Sequence, residues 1–316
     1  MQAQYQALAV LSTGIYFTGL TFLKIAATAM PPLAGDRPVH LARTLLTDRT
    51  WLAGGTVVAV GACVQAASLT GLTLVKAQPM LLAGIGLLIV LAVPVMGERL
   101  TLREWGCVLV LAAATALFAD AADGPPGNGR HGGAVVLTST VTASGAVGTA
   151  VPPWLLGTVA ALSLLVPCAG FLVADLTRKG AHARPLTGVA LAIDVGLLTG
   201  TAELMLKGAA ARLGHPFTPA AAAYPALFTV TAPLALGQLQ IALQRGRLVI
   251  IGLVATATAK TYLLLVGTLL LREPWPDGAT AEIAAALMLL VLAIAAVPHH
   301  ERAAARTRIQ NLPITR

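Results

Sequence analysis

Charged and polar positions are sparse along this 316-residue chain, and the stretches between them are long and almost uninterrupted in their apolar character. Runs of about 18 apolar residues or more recur, each sufficient to cross roughly 30 Å of hydrocarbon as a helix. Hydropathy and helix-breaking residues together predict nine spans: roughly Ala7–Met30, Trp51–Leu69, Leu72–Met96, Trp105–Ala121, Trp154–Val173, Thr187–Ala211, Pro219–Leu243, Leu248–Leu271 and Ala279–Val297. The Trp105 and Trp154 spans are short or flanked by proline. The fold class implied is an all-α polytopic membrane protein with about nine transmembrane helices.

Composition agrees with the pattern. Hydrophobic residues make up 57% of the chain and charged residues 11%, too little charge to cover a soluble domain of this size. "MQAQYQALAV" lacks the positive region of a secretory signal, and no small-residue cleavage site follows, so the first run reads as a mature helix. Cys63, Cys107 and Cys168 all fall inside apolar segments, without a CxxC or matching histidines, and read as small core residues.

The formal charge of +8 is a topology signal. With the N-terminus outside, nine spans leave the C-terminus inside. Fourteen positive residues then face the cytoplasm, among them Arg43, Arg49, Arg103, Arg178, Lys179, Arg245 and Arg247, and only Arg130, Arg212 and Arg272 face outward. No nucleic acid is needed to account for the basic charge, although anionic lipid would attract it. Between the fourth and fifth spans lies "DGPPGNGRHGG" followed by "TSTVTASGAVGTAVPP", a connector expected to be flexible. Its glycines are not a phosphate cradle, because no GK[ST] follows and no strand precedes.

The chain also repeats itself. A slide of 183 residues sets "ALAVLSTGIYFTGLTFLKIAATA" on "ALAIDVGLLTGTAELMLKGAAAR" and superposes Lys24 on Lys207. A slide of 175 aligns Gln65 with Gln240, Gly71 with Gly246 and Glu98 with Glu273. Five spans separate equivalent positions, and an odd number turns the second copy upside down. The organisation expected is therefore a first membrane repeat (1–121), the extracytoplasmic connector (122–152), a linking helix with a basic cytoplasmic loop (153–186), an inverted second repeat (187–298) and a basic tail (299–316). Inverted repeats are the construction of many secondary transporters, where rocking of one repeat against the other exposes a central site to each side in turn.

The stretch from Leu69 to Ala119 carries Gly71, Pro79, the turn Gly97-Glu98-Arg99-Leu100-Thr101 and Trp105-Gly106. In these features it resembles the second half of an EamA-type repeat of the drug/metabolite transporter superfamily. The second repeat departs from that pattern, with "LREPWP" in place of the GER turn and Val254 where Pro79 would stand. Nine helices instead of ten look more like the NIPA-type magnesium transporters of the same superfamily. The resemblance implies transport of a small solute across the inner membrane and does not specify which. Within it, Glu98 and Arg99 read as an ion pair or helix cap at a helix end.

Four lysines lie inside spans. Lys24, Lys76 and Lys207 are near enough to a helix end for their stems to snorkel to the interface. Lys260 is not: eleven or more residues, about 16 Å of helix, separate it from either end of its run. A cation at mid-bilayer costs about 2.5–3.5 kcal/mol on insertion scales and needs a cavity or a counter-charge. Glu203 and Asp194 are the candidate partners, and Lys207 stands one turn from Glu203. The substrate-binding set expected is Lys260, Glu203, Gln65, Gln240, Asp194, Lys207 and Lys24. A permanent structural pair is the competing reading for Lys260 and Glu203, and simple interhelical bonding the competing reading for the two glutamines. Gly196-x-x-x-Gly200 reads as a close-packing face.

Carboxylate-bearing solutes, anionic or zwitterionic, suit Lys260 better than Mg²⁺, which prefers oxygen ligands and retained water. A divalent-cation transporter and a non-transporting scaffold or accessory subunit remain the alternatives. A membrane-embedded enzyme would need a catalytic constellation, and His40, His131, His182, His215, His299 and His300 all fall in predicted loops or the tail. No cofactor or metal site is expected. The expected partners are a small-molecule or ion substrate, the lipid bilayer and, in a homodimer, a second copy. Arginine outnumbering lysine, with abundant alanine, glycine and proline, points to a high-GC bacterial genome and hence to the plasma (inner) membrane.

Overall fold

The structure is a computed structural model and describes residues 2–31, 33, 38–98, 100–123, 153–176, 186–212, 219–271, 276 and 278–297. The long Gly/Pro/Ser/Thr connector, the basic loop with Arg178, Lys179 and Arg184, the turn with Glu273, the basic tail and every histidine except His40 lie outside the described residues.

Ten helices are found among the described residues: α1 (Gln2–Ala29), α2 (Pro38–Thr47), α3 (Arg49–Gly71), α4 (Leu74–Met96), α5 (Leu102–Asp123), α6 (Pro153–Leu176), α7 (Leu186–Ala210), α8 (Pro219–Arg245), α9 (Leu248–Leu271) and α10 (Thr280–Ala296). Seven are long and apolar enough to cross a membrane, namely α1, α3, α4, α5, α7, α8 and α9. Apolar stretches of α6 (Trp154–Gly170) and α10 (Thr280–Ala296) are shorter. The chain is thus a helical, membrane-spanning protein. Every predicted span corresponds to a helix within a few residues, and Leu248–Leu271 matches at both ends. Helix α2 was not anticipated. It is short, and its Leu45 packs with Leu33 and Ile241 in a small core of its own, with Leu41 and Trp51 at the edge.

Local chemistry explains where several helices begin and end. Asp48 accepts a hydrogen bond from the Trp51 amide at 2.7 Å and so caps α3. Gly97 closes α4 in the left-handed region, at φ 65°. Thr101 and Glu104 form a reciprocal capping box that starts α5, with the Thr101 amide donating to Glu104 at 2.6 Å and the Glu104 amide to the Thr101 hydroxyl at 3.4 Å.

The main helix contacts come in matched pairs. α1 packs on α3 and α4, as α7 packs on α8 and α9. α4 meets α5, as α9 meets α10. α1 touches α8, as α7 touches α3, and α4–α9 and α5–α10 join one half to the other. α6 lies chiefly against α7.

α9 is the interior helix, buried without a break from Leu248 to Lys260. α7 reaches it through a face without side chains. A Cβ on Gly196 would lie 2.6 Å from the Ala255 carbonyl oxygen and 2.6 Å from the Thr258 Cβ, and one on Gly200 would lie 2.8 Å from the Ala259 carbonyl oxygen. The Gly196-x-x-x-Gly200 stretch is therefore a close-packing face, as its spacing suggested.

Filling that face separates the two helices. Gly196→Leu and Gly200→Leu are each expected to lower the thermal unfolding midpoint, by an overpacking cost of about 1–3 kcal/mol. Gly86→Leu is expected to match the unaltered protein, since a Cβ at Gly86 meets nothing within 4 Å. Melting followed by size-exclusion chromatography in detergent distinguishes the three.

Candidate functional site

Three residues along from Gly200, Glu203 is brought to α9 by the same close approach. The Lys260 ammonium donates to the Glu203 carboxylate at 2.6 Å, with side-chain exposures of 6% and 11%. Glu203, not Asp194, is thus the counter-charge of Lys260. From α4, the Gln78 side chain donates to the Lys260 backbone carbonyl at 3.2 Å, which ties a third helix to this level of α9.

Beside the pair is a small cavity. It is bounded by Thr13, Tyr16 and Phe17 of α1, Gln65 of α3 and Leu81 of α4 on one side. Thr199 and Glu203 of α7, with the stretch of α9 around Thr256 and Lys260, close the other side. The space within it is about 20 Å³, room for roughly one water. Its wall carries a cation, a carboxylate and the Gln65 side-chain nitrogen, a buried donor with no hydrogen-bond partner. Buried donors are rarely left unpaired, so this nitrogen marks a place where a water or an oxygen-bearing ligand fits.

The other candidate residues lie elsewhere. Gln240 is fully buried, but its amide donates to the Leu23 carbonyl at 3.3 Å and bridges α8 to α1. Gln65 and Gln240 therefore occupy equivalent sequence positions without sharing a site. Lys24 does not snorkel. Its ammonium donates to the carbonyls of Leu243 and Gly246, both at 2.7 Å, and so holds the C-terminus of α8, where a cation complements the helix dipole. Lys207 is buried, at 4% exposure, and does not line the cavity. Asp194 is also buried outside the cavity, against α6.

A second polar assembly was signalled in the sequence only by Glu98. α8 and α9 are joined only by Gly246 and Arg247, and both helix ends are gripped at this corner. Glu98, from the turn after α4, accepts the backbone amides of Leu248 and Val249 at 2.6 and 3.1 Å and caps α9. Arg247 pairs with Glu104 and approaches Glu98. The Gln244 side chain donates to the Ala27 and Pro31 carbonyls and accepts from the Leu33 amide. Glu98 is thus a helix cap, but of a helix 150 positions away in sequence.

Comparison of the chain with protein-family models, with curated proteins and with solved structures returned no match.

The pair itself can be weighed by substitution. Lys260→Met leaves Glu203 buried without its cation and is expected to cost about 3–5 kcal/mol, and Glu203→Met leaves the lysine in the same position. The double variant removes both charges and is expected to recover most of the loss. A double variant no more stable than either single one, in thermal unfolding, would show that the two charges do not depend on one another.

Proposed function

We propose that the protein is a secondary transporter of the bacterial plasma membrane that moves a small polar or charged metabolite by alternating access. In this reading α1, α3, α4 and α5 form one repeat, and α7, α8, α9 and α10 form its inverted copy, with α6 linking them. Nine spans then cross the bilayer, the N-terminus outside and the C-terminus cytoplasmic. The matched helix contacts support the repeat, since the main packings within one half have counterparts in the other.

The observation that carries the proposal is a buried Lys260–Glu203 pair facing a cavity walled by helices of both halves. A charge pair in hydrocarbon is costly, and a purely structural protein gains little from placing one beside a void. Rocking of the halves would open that void to one side and then to the other. At about 20 Å³ the void is too small for a metabolite, so in this reading it would have to widen as the halves rock.

The donors in the wall favour an oxyanion. Lys260 supplies a cation and Gln65 a spare N–H, and together they would receive a carboxylate. Glu203 would then be released from its partner, or would take the ammonium of a zwitterion. Mg²⁺ would find one carboxylate with an ammonium beside it, a poor substitute for the oxygen shell it prefers.

Thermal-shift screening of purified protein and of Lys260→Ala, against carboxylate metabolites and MgCl₂, tests the reading. A carboxylate at about 100 times its dissociation constant is expected to stabilise the unaltered protein by about 2.7 kcal/mol and the variant not at all. Equal stabilisation of both by Mg²⁺, with no response to any carboxylate, would overturn the assignment in favour of a divalent-cation pathway.

A further inference from the structure

Asp194 is the buried acid for which the Lys260–Glu203 site has no use. It lies eight residues into α7, about 12 Å along the helix, and is 8% exposed. It is nine residues from Glu203. At ~100° per residue the two carboxylates point to opposite faces of α7, separated by about 13 Å along its axis. Glu203 faces α9, and Asp194 faces α6.

The contact with α6 is closely fitted. A Cβ on Gly170 would lie 2.8 and 2.9 Å from the two Asp194 carboxylate oxygens, so the carboxylate sits directly over a residue without a side chain. Pro167, one turn earlier, has no amide with which to bond back along α6, and the helix is weakened beside the acid. Among the described residues no cation and no hydrogen-bond donor partners Asp194. Among the described side chains of α6, the titratable group within electrostatic reach of it is Cys168, a free thiol. From α9 the phenol of Tyr262 meets α7 at Gly200, six residues along from Asp194, and is bonded to Ser163 of α6. No charged group from the described parts of α3, α8 or α9 acts on Asp194.

An ionised carboxylate without a partner in an apolar interior is strongly disfavoured and is neutralised by whatever cation can reach it. Metal cations of the calcium and magnesium kind take about six oxygens or more, and one carboxylate over a glycine supplies only two. A proton requires one. We propose that Asp194 is a proton-binding site at the α6–α7 contact, separate from the cavity on the far face of α7. Its chemistry is a single reversible step in which a carboxylate oxygen takes up one proton to form the carboxylic acid and releases it again. Movement of α7 against α6 lifts the carboxylate from Gly170 and exposes it to water, where the proton leaves. That consequence rests on the transport reading, and the proton site itself does not.

Infrared pH titration of the full-length protein in lipid, in H₂O and D₂O, tests the site without a substrate. The expected result is a protonated-carboxyl C=O band that is absent from Asp194→Asn and retained in Glu203→Gln. In Gly170→Ala, where the added methyl group presses on the carboxylate, the same band is expected to shift. If Asp194→Asn does not fold, the Gly170→Ala shift decides. A spectrum unchanged in Asp194→Asn, or a band that ignores the Gly170 methyl, would overturn the proposal. Failure of the carboxylate screen with the band intact would overturn only the transport reading.

Discussion

One lysine that cannot reach water organises the centre of this molecule. Lys260 sits in the middle of its most enclosed helix, where neither stem length nor a nearby interface relieves its charge. A counter-charge has to come to it, and that requirement explains much of the packing around it. Glu203 reaches the ammonium because α7 approaches α9 across two glycines. Gln78 fixes the lysine's backbone from a third helix. Where those helices cannot fill the space around a charged pair, a small polar void remains.

The same electrostatic demand recurs at the Gly246–Arg247 corner. Helix ends expose unpaired carbonyls on one side and amides on the other, and in an apolar setting each set needs an opposite charge. Lys24 meets the end of α8 and Glu98 the start of α9, and both come from the half of the chain opposite to the corner they hold. The clasp joins the two halves at one end of the bundle. Several of its hydrogen bonds are charge-assisted, which makes it one of the stronger polar contacts between the two.

Helix positions were legible because crossing a bilayer demands long apolar runs, and breakers mark where they stop. The partnership of Lys260 with Glu203 was legible because so few counter-charges were within reach. The close-packing glycines of α7 were legible from spacing alone. Rotation about each helix axis was much less so. Helices apolar all round show no polar face from which to judge which residues point inward, and so Gln65 and Gln240, equal in sequence, differ in environment. Lys24 was misread as snorkelling because its acceptors lie on another helix more than 200 residues on. Glu98 gave the signal of a cap without showing which helix it caps. α2 was missed because ten residues with a narrow apolar stripe resemble a polar loop.

In the proposed transport cycle a central cavity opens to each side of the membrane in turn. Gln65 lines it, is 6% exposed and reports on it directly. The measurement is labelling of Gln65→Cys by a membrane-impermeant maleimide, with Cys63, Cys107 and Cys168 replaced by serine, in right-side-out and inverted vesicles. Reaction from both sides, slowed by a carboxylate that stabilises the protein, is the predicted result. Reaction from one side only, or from neither, would contradict it.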